Sequence, residues 1–244
     1  MLECYAIAEG ALVPSPRESA AVLVFSSPDA AERSALVGEY GIDPHDLGSA
    51  LDPDELGRLD LQEGCTALIL KRPRNFTGED QLLFTVTSLG LFLAGERLIV
   101  VASDGLGLFE DRAVRKIGNA RDVLLKILYG TIAHFLGHLK VINMLSESLE
   151  KRINTSMENR YLLDMFTLEK SLVYFVNAID SNQMVLEKMR LAADKLGLAG
   201  PRADILDEII IENRQCSKQA EIYSNILTGL MDARGSVVNN NLSV

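Results

Sequence analysis

The sequence predicts an α+β (mixed α/β) fold: a mixed sheet covered by helices, then a long antiparallel helical hairpin, then a long stalk helix. Three observations carry this reading. Residues 1–118 alternate short β-rich runs with turn residues, whereas beyond Asn119 breakers are few and apolar residues recur every three or four positions. A chain of 244 residues, 48% hydrophobic and 24% charged, has ample material for a core and excludes disordered, collagen-like or low-complexity architectures. Three segments are expected: 1–118 as the α/β domain, 119–200 as the hairpin and 201–244 as the stalk.

Taken in order, strands are expected at Tyr5–Ala8, Ala21–Ser26, Thr66–Lys71, Leu82–Thr87, Leu89–Ala94 and Leu98–Ala102. Most are separated by turn chemistry: Glu9-Gly10, Gly64, Asn75 to Gly78, and Ala94-Gly95-Glu96. Short apolar strands need cover on both faces. A helix from Pro28 to Tyr40 has Pro at its start and Gly41 after its end, and His45 sits in Asp43-Pro-His-Asp beside a turn and a helix cap. The periodic segments Ala120–Thr155 and Asn159–Leu196 form the hairpin, broken near Asn154–Asn159. Gly197-Leu-Ala-Gly-Pro201 ends the second helix and turns the chain. Asp204, Asp207 and Glu208 then fall where a new helix dipole favours negative charge.

The last helix, Ala203 to Val244, is about 60 Å long at 1.5 Å per residue. Read as heptads, one row is Ile209, Cys216, Tyr223, Leu230, Val237 and Val244, and the other is Ile205, Glu212, Gln219, Ile226, Ala233 and Asn240. The first row is apolar throughout and the second half polar. Packing on the preceding hairpin and self-assembly both account for it; self-assembly through the apolar row is the expectation carried forward.

Several function classes are disfavoured. The net charge of −10 is the wrong sign for a phosphate-backbone binder, so no nucleic-acid partner is expected. Cys4, Cys65 and Cys216 make neither an even framework nor a C-x-x-C pair, as in a reducing compartment. The start, Met1-Leu2-Glu3-Cys4-Tyr5, has no secretory signature, and the longest uncharged stretch, Gln81–Gly95, is too short and polar to span a membrane. The ending, Ser236 to Val244, continues a periodicity without a helix stop, so the chain is expected to be cut from a longer one.

No catalytic machinery is visible: there is no G-x-S-x-G, no phosphate loop, and Gly105-Leu-Gly107 lacks the rest of a dinucleotide fingerprint. The chain is not expected to be an enzyme. His134 and His138 are four apart and can share a helix face, but Phe-Leu-Gly between them supplies no catalytic Glu. The hairpin is therefore expected to be structural, with divalent-ion affinity unchanged when both histidines become Ala. Carboxylates suit hard cations better. Candidates are Asp52-Pro-Asp54-Glu55, Glu79-Asp80 and Asp104 in loops, and Asp207-Glu208 and Asp232 on the long helix.

Leu168-Glu-Lys-Ser-Leu-Val-Tyr-Phe175 followed by Ser181-Asn182, and above all Leu230-Met-Asp-Ala-Arg-Gly-Ser-Val-Val-Asn-Asn-Asn-Leu-Ser-Val244, resemble the CorA-type divalent cation transporters. Asp52-Pro-Asp-Glu-Leu56 and Gly95-Glu-Arg-Leu-Ile-Val-Val101 are also similar to that family's amino-terminal domain. The resemblance implies a cytoplasmic domain, truncated before the first membrane helix, of an inner-membrane transporter that works as a homopentamer. Mg2+, or another divalent ion such as Co2+, Ni2+ or Zn2+, would be both regulatory and transported ion. A Gly-Met-Asn motif and two spans would follow Val244. Many members carry Asn where this chain has Ser243.

By the same resemblance, Asp232 matches the Asp three turns below the pore mouth. Glu208 matches an acidic residue of a regulatory site shared between subunits, with Asp207 as a neighbouring substitute. Its partner across the interface is placed in the loop Asn75–Asp80, Asp80 ahead of Glu79. A soluble oligomeric scaffold using the last helix as a coiled-coil arm is the alternative. Two apolar spans encoded beyond residue 244 support the channel, and a stop codon supports the scaffold.

Overall fold

The computed structural model describes residues 1–75, 82–105, 117–155 and 159–242, with side chains left aside at 154, 155, 159 and 234–242. Seven strands form one mixed sheet: β1 (Leu2–Ala8), β2 (Ala11–Pro14), β3 (Val22–Ser26), β4 (Arg58–Leu61), β5 (Cys65–Pro73), β6 (Val86–Ala94) and β7 (Arg97–Ala102). Their spatial order is β2-β1-β3-β7-β6-β5-β4. Only β3 and β7 run parallel, Val22 facing Leu98 and Phe25 facing Val101; every other pair is antiparallel.

Alternation along the central strands makes two cores. Val22, Val24, Leu68, Leu70, Leu98 and Val100 face one way, toward the long helices α3 (Ala120–Thr155), α4 (Asn159–Leu191) and α5 (Pro201–Leu242). Leu23, Phe25, Ala67, Ile69, Ile99 and Val101 face the other, toward the short helices α1 (Ala30–Gly38) and α2 (Pro44–Leu51). The short helices start where their caps dictate. Asp29 and Glu32 form a reciprocal capping box on α1, and Asp43 accepts from the backbone N–H groups of His45 and Asp46 at the start of α2. α2 comes so near β6 that a Cβ on Gly90 would lie 2.5 Å from the Ala50 Cβ, so only glycine fits there.

The expected fold class holds, and four local expectations change. The edge strands β2 and β4 are four residues each, β2 ending on Pro14 and β4 carrying Arg58 and Asp60, so they are too short for periodicity to find. The expected strands Leu82–Thr87 and Leu89–Ala94 become one continuous β6 from Val86; the left-handed Leu82 (φ 66°) breaks extension, and the Phe84 N–H donates to Ser171 Oγ of α4 instead of a strand. α4 stops at Leu191 and turns lead to Gly197, whose φ is 68° and whose missing Cβ leaves room for Arg121.

The fourth change concerns α5. Its apolar row does have a partner inside the chain: Ile209 and Cys216 are fully buried, and Tyr223 and Leu230 pack against the same core. The row beside it is Leu206, Asn213, Ala220 and Leu227, all buried, and not the expected Ile205, Glu212, Gln219 and Ile226. The heptad reading placed the second row one residue off because Ile205 and Ile226 suggested an apolar seam. Burial on α3 and α4 selects Leu206 and Leu227 instead.

Candidate functional site

α5 runs antiparallel to α4, and polar rungs fasten the seam. Arg190 pairs with Asp207 (2.6 Å), Arg214 with Glu187 (2.7 Å), Ser217 donates to Asp180 (2.6 Å), and Thr228 donates to Glu169 (2.8 Å). The Arg214 guanidinium holds the Glu187 carboxyl below its ordinary range, with Gln183 assisting, and Asp207 raises Arg190. Asn213, buried between the helices, donates to Ile179 O and Gln183 Oε1.

This arrangement separates the two acids that the sequence placed together. Asp207 lies on the flank of α5 facing α4, where Arg190 neutralises it, while Glu208 is exposed on the outer side. At 3.6 residues per turn, Glu208, Ile211, Ile222 and Ile226 fall within about 60° of one another. All three isoleucines are about half exposed, with Ile205 flanking them. Glu208 therefore shares an outward sector of α5 with these isoleucines and with Asp204 and Gln215, a sector left exposed among the described residues. The heptad reading included Ile205 and Ile226 of this sector but not Ile211 and Ile222, which plotting α5 at 100° per residue adds. Asp232, also exposed, is 24 residues further on, about 36 Å along the helix, and cannot share a site with Glu208 in one chain.

The other candidates are engaged elsewhere or lie beyond view. Glu79 and Asp80 fall outside the described residues, as do Gly107 and Ser243. Asp52 caps a turn by accepting from the Asp54 N–H, and Glu55 approaches Arg58 at 3.9 Å. Next to this loop, Lys71 is buried and donates to Pro53 O and Ser88 Oγ; burial lowers its pKa, and Asp52, Asp54 and Glu55 oppose that shift. Asp104 pairs with Arg72 and Arg74. Burial raises the Cys65 and Cys216 thiols to about 11 and about 12, making both inert. Among the described residues, no three His, Cys, Asp or Glu side chains gather as a metal cage. No helix among them is long and apolar enough to cross a membrane.

Comparison with known proteins supplies the family. The model of the CorA-like Mg2+ transporter protein family matches residues 20–244. The chain belongs to that family. Solved structures agree on the fold: the chain is similar to the complete CorA magnesium transporter of Methanocaldococcus jannaschii (TM-score 0.83, 19% identity, 100% of this chain and 79% of that one). It is also similar to the soluble domain of the same CorA (TM-score 0.80, 21% identity, 95% of each chain). The ZntB cytoplasmic domain from Vibrio parahaemolyticus RIMD 2210633 matches at TM-score 0.75 with 12% identity, covering 98% of both chains. No curated protein sequence matches. CorA family members transport divalent cations, Mg2+ by name.

Proposed function

We propose that this chain is the cytoplasmic sensing and gating part of a CorA-like divalent cation transporter or channel of an inner membrane, assembled as a homopentamer and built of segments 1–118, 119–200 and 201–244. The family match over residues 20–244 carries this reading. The outer stripe of α5 supports assembly, because Ile205, Ile211, Ile222 and Ile226 stay about half exposed among the described residues and sit around Glu208. A coiled-coil scaffold accounts for the stripe but not for the match.

In this reading Glu208 is the principal ligand of the regulatory ion and an acid of the neighbouring subunit, Asp80 or Glu79, faces it. Mg2+ keeps most of its waters and takes one or two carboxylates, which suits acids meeting across an interface. Asp207 joins only by leaving Arg190, so its role is secondary. Without the ion, acids facing each other repel and the subunits splay; with it, the closed arrangement gains. A tenfold preference of the ion for the closed form is about 1.4 kcal/mol per site, and equivalent sites around a ring add. Asp232, repeated around an axis, meets the hydrated ion on its way to the pore.

The test is protection of the chain from proteolysis across a Mg2+ titration. Asp207→Ala with Glu208→Ala should raise the Mg2+ concentration at half-protection about tenfold. In the full-length transporter, Glu208→Lys should keep the closed state favoured at low Mg2+ by replacing repulsion with a fixed ion pair. Wild-type protection in the double Ala variant overturns the assigned sensor.

A further inference from the structure

A second group of candidate metal-ligating side chains lies on the hairpin, on α3. His134 and His138 sit one turn apart on α3, their ring centroids 4.5 Å apart and their planes at 75°. Around His138 the rings close in: Phe175 stacks on it at 6.0 Å and 17°, and Phe84 meets it edge-on at 5.4 Å. Phe135 in turn packs on Phe175 at 5.1 Å. His138 Nδ1 is fully enclosed and has no hydrogen-bond partner. With Nδ1 enclosed by the phenylalanine rings, Nε2 is the nitrogen through which His138 can meet a hydrated cation.

We propose that His134 and His138 together form a two-imidazole binding site for a borderline transition-metal cation of the Zn2+ or Co2+ class, with water completing the coordination. With metal–nitrogen bonds of about 2.1 Å, two imidazoles on one ion have ring centroids about 4.6 Å apart at a right-angled N–metal–N arrangement and about 5.3 Å at a tetrahedral one; the observed 4.5 Å lies beside the right-angled value. The i, i+4 spacing supplies it without any rearrangement of the helix. Imidazole nitrogen favours Zn2+, Co2+, Ni2+ and Cu2+ and offers little to Mg2+, which takes oxygen. Burial holds both histidines below their ordinary range, His138 at about 4, so both rings are neutral and able to ligate at physiological pH. The Arg72 charge acts on His134 and weakens cation binding there; its pairing with Asp104 offsets that charge. The site is accordingly of moderate affinity.

This inference stands apart from the Glu208 sensor and concerns a different ion class. For Mg2+ the sequence expectation of no effect stays in force; for Zn2+ and Co2+ it is reversed. The measurement is calorimetric titration of the chain with Zn2+ and with Mg2+, paired with the visible absorption of added Co2+. We expect one Zn2+ per chain and Co2+ bands of nitrogen coordination. Affinity for Zn2+ should fall at least tenfold in His134→Ala and in His138→Ala, while neither histidine variant changes Mg2+ protection. His134 is only half-buried, so His134→Ala keeps the test usable if His138→Ala fails to fold. Absence of Zn2+ binding by the wild-type chain, or Zn2+ and Co2+ binding unchanged in His134→Ala, overturns the proposal.

Discussion

Three polar side chains of α4 act as substitute strands for the sheet. Asn182 clasps the Lys71 backbone from both sides, accepting its N–H at 2.7 Å and donating to its C=O at 2.7 Å, just past the point where β4 stops pairing with β5. Ser181 accepts the Gly57 N–H at 2.8 Å, and Ser171 accepts that of Phe84 at 3.0 Å. Unpaired backbone groups at a covered edge would otherwise lose water without compensation. Asn182→Ala should therefore cost about 2 to 5 kcal/mol in urea denaturation, since it orphans two buried backbone groups. Ser181-Asn182 was visible in the sequence as a family-like pair, but its task depends on a contact 111 residues away. His138 gives a second residue-scale outcome. Its native pKa lies at about 4 because burial disfavours the charged ring and His134 adds to the effect, whereas the unfolded ring titrates near 6.5. Between those values the unfolded state binds more protons, so acidification from pH 6.5 to 4 removes stability and lower pH removes no more. Discounted for partial exposure, the loss is about 2 kcal/mol. Denaturation in EDTA across that window should show the slope in the wild type and a flatter profile in His138→Phe.

At the scale of the element, α5 shows how a helix can advertise one face and bury another. Leu227 is 1% exposed and its neighbour Ile226 is 51% exposed, so two adjacent apolar residues distinguish the core row from the outer one. Leu227→Ala should destabilise the isolated chain by about 2 to 5 kcal/mol, while Ile226→Ala should stay within about 0.5 kcal/mol. Equal effects in thermal unfolding would mean that the seam is misplaced. The rungs along it matter less. Arg214→Ala breaks the pair with Glu187, both side chains about half exposed, and should leave the melting temperature nearly unchanged because water screens the pair. Periodicity located α3 and α5 to within two residues at their starts, since a run of apolar residues at helical spacing needs no knowledge of its partner. Which of two adjacent rows faces inward was not legible, because the helix carries apolar residues on both.

For the whole molecule, the shared core of sheet and long helices makes α5 inseparable from the chain that precedes it. A chain ending at Gly200 would strip α3 and α4 of the helix packed against both and is expected to aggregate, so it cannot report on assembly. Surface variants can. Ile222→Glu with Ile226→Glu should lower the apparent mass in light scattering across a concentration series while leaving the melting temperature within a few degrees. Unchanged association in that variant would place the subunit contacts elsewhere than the outer stripe of α5.

The α+β class, the break into long helices near Ala120 and the family likeness followed from the sequence alone, because local periodicity, caps and turn residues act over a few positions and survive without tertiary context. The edge strands, the true inner row of α5, the capture of Asp207 by Arg190 and the aromatic box around His138 were decided by the tertiary structure. Each depends on which side chains approach from distant segments, and burial on a partner surface outweighs the weaker local preference of a short strand, a heptad or a lone pair of histidines.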